Sequence, residues 1–240
     1  MKVVILCGGK GERLREHTES IPKPLVEIGD KPILWHIMKI YSHYGFNNFV
    51  LCLGYKGEKI KEALSQNKDR WDIEFVDTGL DTNTGGRIKK IEKYVETADF
   101  LATYGDGVSD INIRELVKFH KKHGKIATTT CTKLRSPFGI VDIDDNNFIV
   151  DHREKPYLDK WINSGFFVFN KKVFGYLNED SILEDKPLKQ LAKNRQLIAY
   201  RYNGFWECMD TYKDTRMLNE MYKSGNAKWI VWDNTFSKEQ

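Results

Sequence analysis

The sequence has few cysteines, and no two of them stand at a metal-binding or redox spacing. The four, Cys7, Cys52, Cys131 and Cys208, lie far apart in a chain of 240 residues. Zinc sites need paired cysteines and secreted disulfide frameworks need a denser set, so we expect reduced thiols in a cytoplasmic protein. Long apolar runs are absent too. The run before Gly8 is too short for a signal peptide, and nothing approaches a membrane span, so we expect no membrane partner.

An excess of charge of one sign is also lacking. The chain has 38 basic and 34 acidic residues, interleaved along its length, and a net charge of +4. Nucleic-acid-binding proteins present a basic stripe or cluster, so this pattern predicts no nucleic-acid partner. A slight positive balance is compatible with a small substrate that carries phosphate. No internal repeat, low-complexity segment or linker divides the sequence, which predicts a single domain over residues 1–240.

The first half of the chain alternates strands and helices. An apolar run over residues 3–7 ends in glycines, helical spacing of apolar residues follows over 32–44, and a second apolar run occupies 48–55. A short helix, a strand, a helix that starts at residue 85 and a strand that leads into an acidic loop come next. This β-α repetition predicts a mostly parallel sheet, in which ligands bind beyond the carboxyl ends of the strands.

The second half has a different pattern. Residues 125–134 and 138–156 predict strands joined by a polar turn, as in an antiparallel hairpin. Residues 162–170 predict another strand, and residues 211–224 predict a closing helix. The whole chain therefore indicates an α/β fold with a mixed sheet.

A glycine cluster follows the first strand: Gly8, Gly9 and Gly11, with Arg13 and Lys23 behind them. The Walker pattern fails because Gly11 stands where a hydroxyl residue belongs, and the dinucleotide pattern fails because its third glycine is missing. Two interpretations remain. Either this is a tight strand–helix turn with surface cations, or its backbone N–H groups approach a triphosphate whose charge Arg13 and Lys23 balance.

Two aspartates follow predicted strands. Asp106 is flanked by glycines after an apolar strand, and Asp210 lies in an aromatic segment. Such carboxylates can hold Mg²⁺, a hard cation that prefers carboxylates together with substrate phosphates. An ordinary Asp-Gly turn is the alternative at Asp106. No arrangement of serine, cysteine or histidine indicates a protein nucleophile.

Together these motifs resemble the sugar-1-phosphate nucleotidyltransferase family, and within it the glucose-1-phosphate cytidylyltransferases. The resemblance spans nearly the whole chain and rests on GGKGERL, PKPLVEIG, KPILWHIMKIYSHYG, CLGYKGEKIKE, VDTG, TGGRIKK, TYGDGVSDINI, FGIVDI, EKP, INSGFFV and GFWECMDT. It implies a single-domain Rossmann-like fold with a mixed, mostly parallel central sheet, a nucleotide-binding half of about residues 1–110 and an acceptor-binding half of about 111–240. It also implies a Mg²⁺-dependent homo-oligomer that transfers CMP from CTP to a small phosphorylated acceptor, with glucose 1-phosphate the first choice, and releases pyrophosphate.

The resemblance also assigns roles to individual residues, with Lys23 near the α-phosphate and the segment 84–86 against the base. The implied nucleotide-binding residues are Leu6, Gly8, Gly9, Gly11, Glu12, Arg13, Lys23, Thr84, Gly85, Gly86 and Asp106. The implied acceptor-binding residues are Tyr104, Gly139, Glu154, Lys155 and Asn163, of which Lys155 pairs with the acceptor phosphate. The implied metal ligands are Asp106 and Asp210, which together with Arg13 and Lys23 make the catalytic set.

Two departures from those enzymes concern the acceptor. The segment after Leu64 is shorter than theirs, and a strand begins Asn163-Ser164-Gly165 where they tend to have Asn-Gly-Gly. Two alternatives therefore stay open: a non-sugar phosphorylated metabolite such as an amino-acid derivative as the acceptor, or another nucleoside triphosphate as the donor. An NAD-dependent oxidoreductase is disfavoured by the missing third glycine. A nucleotide-sensing module would have little use for both cations and both aspartates.

Overall fold

The computed structural model describes residues 1–11, Leu14, residues 20–65 and residues 68–233. The strands in these ranges are β1 (Val3–Leu6), β2 (Glu27–Ile28), β3 (Lys31–Pro32), β4 (Asn48–Leu53), β5 (Asp72–Asp77), β6 (Asp99–Tyr104), β7 (Gly107–Ser109), β8 (Ala127–Arg135), β9 (Ile140–Ile143), β10 (Ile149–Arg153), β11 (Tyr157–Asn170), β12 (Leu197–Arg201) and β13 (Trp206–Cys208). The helices are α1 (Ile33–His43), α2 (Gly57–Ser65), α3 (Thr84–Lys90), α4 (Ile113–His123), α5 (Lys186–Lys193) and α6 (Tyr212–Lys223), with 3-10 turns at Lys23–Leu25, Glu92–Tyr94 and Lys171–Tyr176.

Seven of these strands form one central sheet in the order β12-β8-β11-β6-β1-β4-β5. β1 pairs in parallel with β4 and β6, β4 with β5, and β8 with β12. Only β11 in this sheet runs antiparallel to its neighbours, β6 and β8. The sheet is therefore mixed and mostly parallel, which confirms the predicted α/β fold class.

The core lies on both faces of this sheet. In β1, Val3 and Ile5 point into one apolar layer and Val4 into the other, and all three are fully buried. Ile37 of α1 covers the first layer, and Leu191 of α5 covers the second. Because both faces are covered, the strand needs apolar residues at every position, which explains the unbroken apolar run in the sequence.

The helix ends follow the sequence closely. α1 ends just before Gly45, which has a φ of 89°, a left-handed backbone that glycine adopts without strain. α6 begins after Thr211, whose hydroxyl and backbone exchange hydrogen bonds with Asp214 in a capping box. The helix predicted from residue 85 is shorter than expected, since it gives way to a 3-10 turn after Lys90. Among the described residues, no helix combines the length and apolar content that crossing a bilayer requires.

A hairpin projects from the second half of the chain. We call residues 138–156 the arm; it contains β9 and β10, which pair antiparallel as predicted. Its turn is closed by the Asp144 carboxylate, which accepts hydrogen bonds from the N–H groups of Asn146 and Phe148. The following strand, β11, begins at Tyr157 instead of at residue 162, because its first part pairs with the end of β8.

Candidate active site

A cavity of about 820 Å³ opens beyond the carboxyl ends of β1 and β6. This is where a mostly parallel sheet places its ligands. The predicted site residues that line it are Leu6, Gly8, Gly9, Gly11, Lys23, Thr84, Tyr104, Asp106, Asn163 and Asp210. Residues assigned from the sequence to the nucleotide, the acceptor and the metal thus share one cavity.

Lys23 joins the two aspartates at the floor of this cavity. Its Nζ lies 2.6 Å from Asp106 Oδ2 and 2.5 Å from Asp210 Oδ1. The Lys23 side chain is only 11% exposed. Burial alone would lower its pKa, but the Asp106 charge and the hydrogen bonds to both carboxylates outweigh burial and raise the pKa above its ordinary value. Lys23 is therefore a charged ammonium between two carboxylates and not a surface cation.

A small second sheet brings the two aspartates together although 103 residues separate them in the chain. β7 follows Asp106 directly and pairs antiparallel with β13, which ends just before Asp210. The register continues past the strands, since the Met209 N–H donates to the Asp106 carbonyl at 2.9 Å. The position of Asp210 is thus set by backbone pairing.

Cys208 completes a group that could hold a metal ion. Asp106, Cys208 and Asp210 each place one ligand atom within 4.8 Å of the others. Burial, followed by the charge of Asp106, raises the pKa of the Cys208 thiol, so the thiol stays protonated. The two carboxylates are the hard oxygen donors that Mg²⁺ prefers, and the Lys23 ammonium between them marks a point where a cation is stabilised. The residues present therefore fit a hard divalent cation.

The three glycines behind β1 have different surroundings. A Cβ on Gly9 would meet no described atom within 4 Å, so this glycine borders open cavity. Gly11 has a φ of 65°, which favours glycine. A Cβ on Gly8, by contrast, would lie 2.0 Å from Arg87 Nη1, so Gly8 is needed for packing against an arginine.

Arg87 is a site residue that sequence reasoning missed. Its guanidinium donates to the carbonyl oxygens of Gly8 (3.0 Å), Leu53 (3.0 Å), Gly79 (2.9 Å) and Leu80 (3.2 Å) and to the Thr78 hydroxyl (2.6 Å). Leu53 is the last residue of β4, and the other acceptors lie in the turns that follow β1 and β5. Arg87 therefore fixes the glycine turn to its neighbours and carries its charge at the cavity wall. No local sequence pattern predicts that Arg87 makes these hydrogen bonds, because the acceptors come from three separate segments.

Glu184 is a second residue that the sequence did not indicate. Its carboxylate accepts a hydrogen bond of 2.7 Å from the Thr84 hydroxyl and another from the Tyr104 hydroxyl. Burial, followed by the charge of Glu184, raises the pKa of Tyr104, so the phenol remains the donor. Glu184 thus connects a residue predicted to bind the nucleotide with one predicted to bind the acceptor.

Gly85 and Gly86 were predicted to lie against the base, but neither lines the cavity. A Cβ on Gly85 would come within 2.7 Å of Ser181 Cβ, and a Cβ on Gly86 would come within 2.0 Å of the Glu179 carbonyl oxygen. Both glycines allow α3 to pack closely against the segment before α5, and of this trio only Thr84 lines the cavity.

Gly139, Glu154 and Lys155 also lie outside the cavity lining. All three belong to the arm, where a Cβ on Gly139 would contact Glu154 Oε2 at 3.1 Å. Glu154 and Lys155 are exposed and pair with each other at 3.5 Å. The Lys155 backbone, at a φ of 47°, is held by a hydrogen bond from Arg135 Nε to its carbonyl. The family resemblance implies that these residues bind the acceptor, and in the structure all three lie on the arm.

Asn163 and Ser164 lie where β11 passes the cavity. Asn163 Oδ1 accepts from the Thr129 hydroxyl at 2.7 Å and from the Gly165 N–H at 3.0 Å, which fixes the orientation of the amide. The Ser164 hydroxyl donates to the Thr130 carbonyl at 2.8 Å. The serine that departs from the expected glycine therefore directs its hydroxyl into the sheet. Glu12 and Arg13, the other predicted nucleotide-binding residues, lie outside the described residues.

A family model described as nucleotidyl transferase matches residues 2–214. The probable glucose-1-phosphate cytidylyltransferase of Bacillus subtilis (strain 168) is 46% identical, over 97% of this chain and 100% of the relative. The glucose-1-phosphate cytidylyltransferase of Salmonella typhi is 42% identical, over the same shares, 97% and 100%. Among solved structures, HddC from Yersinia pseudotuberculosis has a TM-score of 0.73 and 26% identity, covering 92% of this chain and 99% of that one.

Proposed function

This chain belongs to the nucleotidyl transferase family, and on that premise we propose that it transfers CMP from CTP to glucose 1-phosphate, giving CDP-glucose and pyrophosphate. The observation that carries the proposal is the convergence of the glycine turn, Lys23 and the two aspartates on one cavity. The identity of 42–46% to full-length glucose-1-phosphate cytidylyltransferases supports the choice of base and acceptor.

Nucleotidyl transfer needs the protein mainly to position the two substrates and to stabilise their charge. An oxygen of the acceptor phosphate attacks the α-phosphorus of CTP, a new P–O bond forms, and the bond to the oxygen that bridges to the β-phosphorus breaks. That bridging oxygen leaves with pyrophosphate. The acceptor phosphate is ionised at neutral pH, so no general base is required. The transfer is accelerated by in-line placement and by stabilising charge on the phosphates.

In this proposal each residue has a distinct part. Gly9 leaves room for the triphosphate to approach the backbone, because a Cβ there would project into open cavity. Lys23 neutralises charge near the α-phosphate, and Arg13 contributes oxygen contacts. Asp106 and Asp210 hold Mg²⁺, which when bound neutralises part of the triphosphate charge.

The acceptor side is proposed from fewer residues. Tyr104 and Asn163 line the cavity and offer hydrogen-bonding groups to a sugar phosphate. Glu154 and Lys155 act on the acceptor only if the arm approaches the cavity. The alignment with the Bacillus subtilis relative runs over 255 positions, more than this chain contains, so that relative has segments without a counterpart here. A non-sugar phosphorylated acceptor and a different nucleoside triphosphate are therefore the alternatives that an assay must separate.

The deciding assay is pyrophosphate release with CTP, UTP, GTP and dTTP, each tested against glucose 1-phosphate, other hexose and heptose 1-phosphates and phosphorylated amino-acid derivatives. We expect the highest kcat/KM for CTP with glucose 1-phosphate, by at least about tenfold, or about 1.4 kcal/mol. A non-sugar acceptor ahead by that margin would overturn the acceptor, and another triphosphate ahead by it would overturn the base. No release with any pair would overturn the proposed function.

We further propose that the protein is a homo-oligomer in which a second copy covers the arm. Large apolar side chains are exposed there, and such patches on soluble proteins mark contact sites. They include Phe138, Ile143, Phe148, Ile149 and Val150. Light scattering should give a multiple of the 28.0 kDa chain mass, and Phe148→Glu should lower it. A monomeric wild-type protein would contradict this.

A further inference from the structure

We infer that in the nucleotide-free protein the Lys23 ammonium occupies the place of the divalent cation, so that a metal ion binds between Asp106 and Asp210 only when a triphosphate draws Lys23 away. The inference rests on the proposed function in one respect, the assignment of these two aspartates as metal ligands. It adds an order of events: phosphate moves the lysine, and the carboxylates then become available.

The distances carry this inference. Lys23 Nζ contacts one oxygen of each carboxylate, at 2.6 Å for Asp106 and 2.5 Å for Asp210. These are short, charge-assisted hydrogen bonds. A cation that coordinated the same two oxygens would have to lie within bonding distance of both, which is the space that the ammonium fills. The lysine and the metal are therefore alternatives at this point.

Charge leads to the same conclusion. The ammonium offsets part of the negative charge of the two carboxylates without a metal. A divalent cation added beside the ammonium would face a like charge at contact distance in a partly buried site, where repulsion is stronger than in bulk water. Once the ammonium leaves, both carboxylates lose its positive charge, and two carboxylates close together favour a hard divalent cation.

The backbone around Lys23 lets the side chain move while the chain stays fixed. Lys23 is the first residue of the 3-10 turn Lys23–Leu25 and has a proline on each side in the sequence. Two hydrogen bonds close the turn, from the Leu25 N–H to the Pro22 carbonyl (2.8 Å) and from the Val26 N–H to the Lys23 carbonyl (3.0 Å). Two prolines restrict the backbone, so only the four flexible bonds of the lysine stem need to change. The same side chain lines the cavity that also contains the glycine turn.

A triphosphate in that cavity supplies the force that moves the lysine. Its several negative charges compete with the carboxylates for the ammonium, and a phosphate oxygen is an equally good partner for it. Metal binding and triphosphate binding are then positively coupled through one side chain. The free protein avoids holding a metal ion that has no substrate beside it.

The test measures metal binding without any substrate. Mn²⁺ serves as the probe, and the electron paramagnetic resonance signal of unbound Mn²⁺ reports binding to the nucleotide-free protein. We expect weak binding by the wild type and at least tenfold tighter binding by Lys23→Met, which keeps most of the stem and removes the charge. Adding Asp106→Asn to Lys23→Met should abolish the gain.

Lys10→Met is the matched control for charge. Lys10 lines the same cavity but pairs with the exposed Asp81 at 2.9 Å, so its removal should change Mn²⁺ affinity by less than about threefold. Circular dichroism shows whether each variant is folded, and Lys23→Gln replaces Lys23→Met should the latter not fold.

Three outcomes would overturn the inference. They are wild-type binding of Mn²⁺ as tight as that of Lys23→Met, a gain that survives Asp106→Asn, and an equal gain in Lys10→Met. The wild-type measurement alone can overturn the inference, since tight Mn²⁺ binding with Lys23 in place would show that Lys23 does not exclude the metal ion. The Mn²⁺ measurement contains no substrate, so its result does not depend on the transfer reaction. A failure of the proposed reaction would show only in the pyrophosphate assay.

Discussion

Gly8→Ala should destabilise the protein through Arg87. The three described atoms nearest to a Cβ on Gly8 all belong to the Arg87 guanidinium, at 2.0 Å, 2.3 Å and 2.9 Å. Real Cβ contacts are not this short, so the guanidinium must leave its place. The substitution adds one methyl group, and it destabilises the protein because the hydrogen bonds that Arg87 makes are lost.

The magnitude follows from the bonds that Arg87 makes. Its bonds to Gly8, Leu53 and Thr78 lie inside the protein, while those to Gly79 and Leu80 lie nearer the surface, where water can replace the arginine. Three interior hydrogen bonds at about 1 kcal/mol each amount to about 3 kcal/mol. Arg87→Ala removes the same bonds and should also cost about 3 kcal/mol. In the double variant the methyl group meets no guanidinium, so the total should stay near 3 kcal/mol and not reach about 6 kcal/mol.

Urea unfolding followed by tryptophan fluorescence measures all three variants, since the chain has six tryptophans. Because the glycine turn loses its support, the KM for CTP should also rise in each single variant. Additive losses in the double variant, or a Gly8→Ala protein within about 0.5 kcal/mol of the wild type, would refute the claim that Arg87 is what Gly8 accommodates.

Three further predictions concern the cavity and the core. Gly9→Ala, in contrast to Gly8→Ala, should leave the free energy of unfolding within about 0.5 kcal/mol of the wild-type value. It should raise the KM for CTP about tenfold, because the added methyl group enters the open cavity. An unchanged KM would show that Gly9 does not belong to the nucleotide site. Asp106→Asn and Asp210→Asn should each lower the Mg²⁺-dependent kcat by about 10²-fold or more. Asp72→Asn, at the exposed start of β5, serves as the control. A variant that keeps the wild-type rate at low Mg²⁺ would show that its changed residue is not a metal ligand. Burial lowers the pKa of His36 to about 4, below the value near 6.5 in an unfolded chain. The unfolded state therefore binds the proton first, and the free energy of unfolding should fall by about 3 kcal/mol in total as pH drops from about 6.5 to 4; chemical denaturation at several pH values measures this, and an equal fall in His36→Gln would contradict it.

The order of elements was predictable because it depends on local patterns. Apolar runs such as residues 3–7 and 48–55 became β1 and β4, and the capping pair Thr211 and Asp214 marks the start of α6. Periodicity and capping act over a few residues, so a sequence displays them directly. The glycine turn, Lys23 and the two aspartates were predicted in the same way, from residue types at the ends of those elements.

The partners of these residues were not predictable, because they lie far away in the chain. Arg87 donates to carbonyl groups from three separate segments, and Glu184 joins Thr84 to Tyr104 across 80 residues or more. Gly85 and Gly86 begin a helix that the sequence predicts, but their packing against a segment almost 100 residues away is not visible in it. Glu154 and Lys155 follow directly after β10, whose pairing with β9 forms the arm.

The sequence by itself determined the α/β class, the position of the cavity at the strand ends and the residue types that surround it. Only the tertiary structure decided that Lys23 is buried between Asp106 and Asp210, because that contact depends on the antiparallel pairing of β7 with β13. A lysine and two aspartates are solvated surface charges in most sequences. Partial burial in one pocket brings them into ion-pair contact, because a charge that leaves water must find an opposite charge at contact distance.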